Sequence, residues 1–209
     1  MGKIVIVGLL AFVVAGGCKS PAEKAVGAEV VEAAPSRYSE PPSFDAGLSV
    51  EQAYAAIPHR RTVWVEGESS MPTEEKAYLK AMFQVVDQAI AVRVASLQNF
   101  ANGQFDVMDT DAEFDLLIKY VREMAAPKKL AAYHQDILSG LTGERQFFHE
   151  WKEARGGFAF AQQVQNHPGV QRASAAIRAA YGELMAKYPG ENETNKEAFF
   201  DYHCALDFL

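Results

Sequence analysis

The stretch PGVQRASAAIRAAYGELMAKYPG, residues 168–190, decides the fold class of this chain. Its apolar residues recur every three or four positions, which is the spacing of one face of an α-helix. Pro168 near the beginning and Pro189-Gly190 at the end are typical of helix boundaries. The stretch therefore predicts an amphipathic helix. Its apolar face comprises Val170, Ala173, Ile177, Ala180, Tyr181, Leu184 and Tyr188.

Toward the C-terminus, the same spacing predicts a helix from about residue 194 to residue 208. Phe200, Cys204 and Phe208 fall at positions i, i+4 and i+8, so we expect them on its buried face. The thiol of Cys204 is interpreted as a small apolar core group, because a reactive thiol needs a cationic neighbour. His203 is adjacent in sequence but points about 100° away around the helix.

Toward the N-terminus, the spacing predicts further helical segments. Residues 128–155 keep one apolar phase, and Gly140 and Gly143 mark where this segment would kink or split. The first of the remaining segments is a short helix that opens with a capping box of Ser49 and Gln52 and ends before Pro58. The second is a helix from near Pro72 to about Ala101. The third opens with a capping box of Thr110 and Glu113 and ends before Pro127.

Between the first two helices lies an extended segment, residues 59–65, which we call the strap. Its Thr-Val-Trp-Val run is typical of a short strand or of a loop held against the surface. A single strand cannot form a sheet. The sequence therefore predicts one all-α domain, residues 48–209: an irregular helical bundle of about four longer and two shorter helices with one short extended strap.

The N-terminus has the order of a secretory signal: a positive residue, an apolar run and small residues. Lys3 is followed by an apolar run over residues 4–14, then by Ala15-Gly16-Gly17 and Cys18. The run is shorter than the ~20 apolar residues of a membrane-spanning helix. Residues 1–17 are therefore predicted to be a cleaved signal peptide.

The small residues that run into Cys18 resemble the lipobox of bacterial lipoproteins, although Ala15 stands where that family usually has Leu. The resemblance covers only this N-terminal segment. It implies that the thiol of Cys18 is acylated, with palmitate among the attached chains, and anchors the mature chain to a membrane. Lys19 after the cysteine implies the cell outer membrane, facing the periplasm, in a host with two membranes. Plain secretion is the alternative, since Ala15-Gly16-Gly17 also fits an ordinary cleavage site.

Residues 18–47 are predicted to be the lipidated N-terminus followed by a flexible linker. The linker contains four of the nine prolines and has no sustained apolar period. Such a segment buries too little apolar surface to offset the entropy lost when a chain is ordered. The folded domain is therefore expected to begin at Leu48.

The charge balance excludes some classes of partner. The chain has 20 basic and 27 acidic residues and a net charge of −7. An acidic chain without a long basic cluster is not expected to bind nucleic acid. Attachment to a membrane must then come from acyl chains, because an acidic surface repels anionic headgroups. With Cys18 acylated, Cys204 is left alone, so no internal disulfide is expected.

Local catalytic and cofactor motifs are absent from the sequence. It contains no C-x-x-C-H haem motif, no H-E-x-x-H zinc motif, no G-x-S-x-G nucleophile elbow and no P-loop. An enzyme would need a site assembled only in three dimensions. We therefore predict no catalytic residue and no cofactor, and a bound metal ion is the alternative.

Two histidine–carboxylate pairs are the residues on which a metal site would depend. His149 and Glu153 are four residues apart, as are His203 and Asp207, so each pair shares one helical face. Two such pairs from neighbouring helices would complete a four-ligand site within a bundle. Polar helix faces also carry such pairs by chance, and the competing interpretation is a set of ordinary surface side chains.

A run of alternating acids, Asp109, Asp111, Glu113 and Asp115, suggests calcium. An EF-hand loop needs Gly at its sixth position and Glu at its twelfth, and this sequence has neither residue there. We interpret the run as acids at a helix N-terminus, where they complement the helix dipole.

His59, Arg60 and Arg61 form the densest basic cluster, with Trp64 shortly after them. The cluster is a candidate binding site for an anionic headgroup, a glycan carboxylate or a partner's acidic patch, since Arg makes bidentate contacts. It is also a candidate for pinning the strap to acidic residues of the bundle, which we favour.

Arg93, on an apolar stripe, is predicted either to form a buried ion pair or to extend its guanidinium to the edge of the core.

The sequence favours a non-enzymatic envelope lipoprotein whose helical domain binds or supports another envelope protein or cell-wall component. A small-ligand or metal-binding bundle is the alternative, and an enzyme acting on cell-wall or lipid substrates is the weaker one. A flat apolar patch would favour the first, a bound metal or chromophore the second, and a deep pocket with titratable groups the third.

Overall fold

The computed structural model describes residues 38, 40–42, 46–156, 160 and 162–207; the predicted signal peptide, residues 1–17, and Cys18 lie outside these ranges. Within them the regular secondary structure is helical and contains no strand, which confirms the predicted all-α class. The α-helices are α1 Val50–Ala55, α2 Thr73–Ala101, α3 Thr110–Glu123, α4 Ala131–Ala154, α5 Pro168–Lys187 and α6 Glu193–Leu206. None of the described helices has both the length and the apolar composition to cross a membrane.

The helix starts are set by side chains that accept hydrogen bonds from free backbone N–H groups. The predicted capping box of α1 is confirmed: Gln52 N donates to Ser49 Oγ (3.3 Å) and Ser49 N donates to Gln52 Oε1 (2.7 Å). The predicted capping box of α3 is wrong by one residue. Asp109 is the N-cap and accepts from Ala112 N, while Thr110 is buried.

Helix α2 is the central element of the bundle. Leu79, Phe83 and Ile90, which recur at the helical spacing, are buried, and residues between them, such as Val85 and Ala89, are buried as well. A helix that is apolar on nearly all sides is surrounded by other elements. Accordingly, α2 packs against α1, α3, α4 and α6.

Helices α4 and α5 approach each other most closely at two glycines. The predicted split at Gly140 and Gly143 does not occur, because α4 is continuous, and a kink there stays a prediction. A Cβ atom on Gly140 would lie 2.8 Å from Ile177 Cγ1. One on Gly143 would lie 2.8 Å from Ala173 Cβ and 2.9 Å from the carbonyl oxygen of Gly169. The glycines therefore allow the two backbones to touch, which a larger side chain would prevent.

The buried face of α6 differs from the predicted one. Phe199 and Tyr202 are buried, whereas Phe200 is 49% exposed and Cys204 is partly exposed. The alternative face has an equally good helical spacing, so the sequence pattern alone selected the wrong side. The third residue of the predicted face, Phe208, lies outside the described residues.

Two described residues of the predicted linker pack against the bundle. Tyr38 is 8% exposed, and its hydroxyl donates a hydrogen bond to the carbonyl oxygen of Ala125 (2.9 Å). Ala46 is buried as well. The packed part of the chain therefore includes residues that precede Leu48.

Candidate functional site

The strap lies along α6, whose side chains bind its backbone. Thr62 N donates to Asp201 Oδ2 (3.0 Å), and Val65 N donates to Asn195 Oδ1 (2.8 Å). Asn195 Nδ2 in turn donates to the carbonyl oxygen of Val65 (3.2 Å). The short-strand alternative is wrong for residues 59–65, because helix side chains occupy these backbone groups and the strap has no regular secondary structure.

Arg60 and Arg61 join the strap to carboxylates on two helices. Arg60 donates to Glu197 Oε1 (2.6 Å) and Asp201 Oδ2 (3.2 Å), both on α6. Arg61 Nη2 donates to Asp87 Oδ2 on α2 (2.5 Å). These are the contacts that the pinning interpretation requires. A ligand-binding role for the two arginines stays a prediction.

The two arginines differ in burial. The Arg60 side chain is 62% exposed, whereas that of Arg61 is 27% exposed. Asp87 is 8% exposed as a residue; burial raises the pKa of its carboxyl, and the guanidinium of Arg61 opposes that shift. The Arg61 guanidinium also lies 5.3 Å from the centre of the Tyr54 ring. Arg61 therefore neutralises a buried charge, whereas Arg60 is itself exposed and pairs with the exposed Glu197 and the buried Asp201.

Trp64 is separated from the exposed part of the basic cluster. It is 7% exposed, and its ring packs edge-on against Phe83 with the ring centres 5.8 Å apart. Its ring therefore fills the core under the strap, where a ligand at the surface does not reach it.

His59, at the beginning of the strap, faces a cleft between α5 and α6. The cleft has a volume of about 280 Å³ and combines apolar, aromatic and titratable side chains. It brings together residues that the sequence assigned to different roles. They are His59, Ile177, Arg178, Tyr181, Phe200, His203, Cys204 and Asp207.

Cys204 and His59 are in contact at one side of the cleft. The Cys204 Sγ atom lies 3.6 Å from His59 Nδ1. Burial raises the pKa of the thiol, and the carboxylates of Asp207 and Asp201 raise it further. The thiol is therefore protonated at neutral pH and suited to donate to the imidazole, which is not the state of a nucleophilic cysteine. Sequence reasoning missed this contact because 145 residues separate the two side chains.

His203 forms a buried part of the cleft wall. It is 3% exposed, and its Nδ1 atom lies 2.5 Å from the carbonyl oxygen of Phe199. Burial lowers the pKa of its imidazole to about 4. Among the described residues, its Nε2 atom has no hydrogen-bond partner. At neutral pH the cleft wall therefore contains an uncharged imidazole whose buried Nε2 atom is an acceptor without a donor among the described residues.

The four residues predicted as a metal site do not come together. The ring of His203 lies 5.7 Å from that of Tyr133, near the beginning of α4, whereas His149 lies near its end. The helix between Tyr133 and His149 is about 24 Å long. His149 instead contacts Asp111 (Nδ1 to Oδ2, 3.1 Å), and Glu153 is exposed. The described part of the chain contains no group of three or more His, Cys, Asp or Glu arranged to hold a metal ion.

The acidic run at the start of α3 contacts basic side chains of α4. Asp115 accepts from Arg145 Nε (2.9 Å), and Asp111 lies 3.8 Å from Arg145 Nη1. Asp109 caps its own helix and lies 3.4 Å from Lys152 Nζ. These contacts fit acids that complement a helix N-terminus and bind a neighbouring helix.

Arg93 crosses the core to the end of α6. It is 4% exposed and donates to the carbonyl oxygens of Ala205 and Asp207. A guanidinium there stabilises the negative end of the helix dipole. The prediction that Arg93 reaches the edge of the core is wrong, because its group is buried.

Glu144 is a buried carboxyl that the sequence analysis missed. It is fully buried in α4, and neither of its carboxyl oxygens has a hydrogen-bond partner among the described residues. Burial raises the pKa of Glu144 to about 8; Arg93 opposes this shift and Asp207 adds to it. A signal did exist, since Glu144 interrupts the apolar phase of α4 between Leu141 and Phe148.

The cleft is the strongest candidate site, because it joins an exposed aromatic side chain to buried polar groups in one concave surface. No family model matches this chain, and neither a curated protein nor a solved structure matches it.

Proposed function

We propose that this chain is a membrane-anchored envelope lipoprotein whose helical domain binds another envelope component and does not catalyse a reaction. The lipobox-like segment that ends at Cys18 supports the anchor. In a host with two membranes, Lys19 favours the outer membrane, with the domain facing the periplasm. The component bound is an envelope protein or a cell-wall molecule.

The observation that carries the binding function is the cleft beside Phe200. This side chain is 49% exposed, and it borders two further depressions, one with Arg60 and Glu197 and one with His59 and Cys204. A large exposed aromatic side chain at the centre of concave surface is typical of a binding site.

The protonation states of two cleft residues, His203 and Cys204, argue against proton exchange by these groups. A group that exchanges protons in a reaction works best when its pKa lies near the working pH. The pKa of His203 is lowered to about 4 and that of the Cys204 thiol is raised by burial. Neither group is poised for proton exchange at neutral pH.

The anchor is tested by Cys18→Ser, which removes the thiol that would be acylated. We expect the variant to lose incorporation of labelled palmitate and to leave the membrane fraction. A variant that stays bound to the membrane to the same extent as the parent would show that the anchor is not the Cys18 lipid.

The binding site is tested by capture from the envelope with Phe200→Ser. Val107→Ser is the matched control, because Val107 is 68% exposed and lies outside the cleft. We expect the first substitution to remove the captured component and the second to retain it, with both proteins equally helical. Equal capture by the two variants would place the binding surface elsewhere.

A further inference from the structure

We propose that the cleft between α5 and α6 binds a small neutral aromatic molecule that carries one hydroxyl or N–H donor. This inference rests on the proposed function, because it names the chemistry of the component that the domain recognises. Four properties of the cleft lead to it: an unpaired acceptor, aromatic walls, paired charges at the rim, and a limited volume.

The acceptor is Nε2 of His203. A carbonyl oxygen only accepts hydrogen bonds, so the contact with Phe199 requires a proton on Nδ1. The neutral ring then has a lone pair on Nε2, an atom that is buried and to which no described residue donates. An acceptor that is buried without a partner costs free energy, so a ligand that supplies a hydroxyl or N–H group gains affinity there.

The walls are suited to an aromatic ring. The ring of Tyr181 lies 5.8 Å from that of Phe200 in an edge-on arrangement, and 6.2 Å from that of His203. Ile177, which is 1% exposed, adds an apolar surface. Aromatic pairs at these distances favour edge-on or offset packing, and a planar ligand would extend the same packing into the cleft.

The charges at the rim already have partners of opposite sign. Arg178 lies 3.8 Å from the carboxylate of Asp207. Arg60 binds Glu197 and Asp201 on the other side of Phe200. An ionic ligand would have to compete with these pairs, whereas a neutral ligand would not.

The volume sets the size of the ligand. A cavity of about 150 Å³ is known to hold benzene. At about 280 Å³, this cleft accommodates a molecule of roughly two fused rings. The exposure of Phe200 and the burial of His203 further indicate that the ligand enters beside Phe200 and points its donor group inward.

The test compares 2-naphthol with 2-methoxynaphthalene, which has the same rings but no donor. Binding is titrated by calorimetry to the full chain carrying Cys18→Ser. We expect saturable binding of one 2-naphthol per chain, about tenfold tighter than that of the methyl ether, which is the effect of one lost hydrogen bond. Equal affinity of the two probes, or no binding of either, overturns the proposal.

Two substitutions locate the site. His203→Phe keeps an aromatic ring without Nε2, so the tenfold preference for 2-naphthol should disappear. Phe200→Ala, at an exposed position, should weaken both probes alike, and it keeps the test decisive if the first variant does not fold. A preference that persists in His203→Phe, or affinities unchanged in Phe200→Ala, contradicts the assigned site.

Failure of this proposal can be told apart from failure of the proposed function. If Phe200→Ser loses the envelope component while the unsubstituted chain binds neither probe, the ligand chemistry is wrong and the binding function stands. If both probes bind as expected but capture does not depend on Phe200, the cleft is a small-molecule site and the binding surface for the envelope component lies elsewhere.

Discussion

The α4–α5 contact and the contact between the strap and the bundle join their parts by different means. In the first, Gly140 and Gly143 let two backbones touch, so shape decides the fit. In the second, Arg60 and Arg61 reach carboxylates on α6 and α2, so charge decides it. A contact made by shape is insensitive to salt and pH, whereas one made by charge responds to both.

The two contacts also differ in how easily they open by local unfolding. An exposed ion pair contributes little to stability, and local opening begins where few apolar groups are buried. Val63 of the strap is 55% exposed, whereas Gly140 and Gly143 are buried between two helices. We therefore expect the beginning of the strap, at His59 and Arg60, to open before the helix pair does, whereas the buried Trp64 and the Arg61–Asp87 pair hold the rest of the strap.

The largest effect is expected for Arg61→Ala. It leaves the Asp87 carboxyl buried without its guanidinium, so the free energy of unfolding should fall by about 3 kcal/mol, the lower end for a buried pair because Arg61 is partly exposed. Urea unfolding at neutral pH measures the loss. Arg155→Ala removes an exposed arginine that pairs with Asp106 and is the control, for which little change is expected. An equal loss in both variants would mean that burial of the pair is unimportant.

A pH-dependent effect is expected for Glu144→Gln. The folded protein keeps the Glu144 proton up to about pH 8, whereas the unfolded chain releases it near its ordinary value of 4.5. The unfolded state thus binds fewer protons in this window, so stability should fall as the pH rises through it. Glutamine removes that cost, so the variant should gain about 1.4 kcal/mol over the parent for each pH unit within this window.

On the acid side of the same profile, His203 contributes with the opposite sign. The pKa of His203 is lowered to about 4, so the unfolded chain binds the extra proton first as the pH falls below about 6.5. In Glu144→Gln stability should therefore decline there, whereas in the parent the Glu144 contribution opposes that decline down to about pH 4.5. A variant curve that is parallel to the parent curve between about pH 5 and pH 8 would show that the pKa of Glu144 is not raised in the folded protein.

A smaller effect is expected for Gly143→Ala. The added methyl group would lie 2.9 Å from the carbonyl oxygen of Gly169, so the helices must move apart, at a loss of about 1–2 kcal/mol. Gly182→Ala is the matched control, because nothing lies within 4 Å of its Cβ position in the middle of α5. That variant should gain about 0.5–1 kcal/mol from helix propensity. Thermal unfolding of both variants should show shifts of opposite sign, in low and in high salt.

The smallest effect is expected for Arg60→Ala. Its guanidinium is exposed, and Asp201 keeps the hydrogen bond from Thr62 N when Arg60 is lost. The variant should melt slightly below the parent at low salt, and the difference should vanish at about 1 M salt, where exposed charges are screened within a few ångströms. A difference that does not depend on salt would indicate that Arg60 acts through packing.

The sequence predicts helices better than it predicts their faces. The stretch 168–190 forms α5 between its two prolines because its period and both boundary signals agree. In α6, two faces have similar spacing, and tertiary packing, including the rings of Phe199 and Tyr202 against Phe83, selects the face that is buried.

The candidate site was less predictable than the fold. The contact of His59 with Cys204 depends on how the strap crosses α6, and no local pattern encodes that path. The sequence predicted that acidic residues of the bundle hold the strap, but it did not show which ones. Glu144 was recognisable as a charge within an apolar phase. The guanidinium of Arg93, which opposes its pKa shift, comes near it only through the packing of α2 against α4.

Ile177 belongs both to the α4–α5 contact and to the cleft. It packs against Gly140, and it also forms part of the cleft wall. The rigid helix pair therefore fixes this wall before any ligand arrives. A receptor that is preorganised in this way does not pay for reshaping on binding. In rapid mixing, the observed association rate of 2-naphthol should rise linearly with its concentration and show a single phase. A slow phase that does not depend on concentration would instead report that the strap must move aside first.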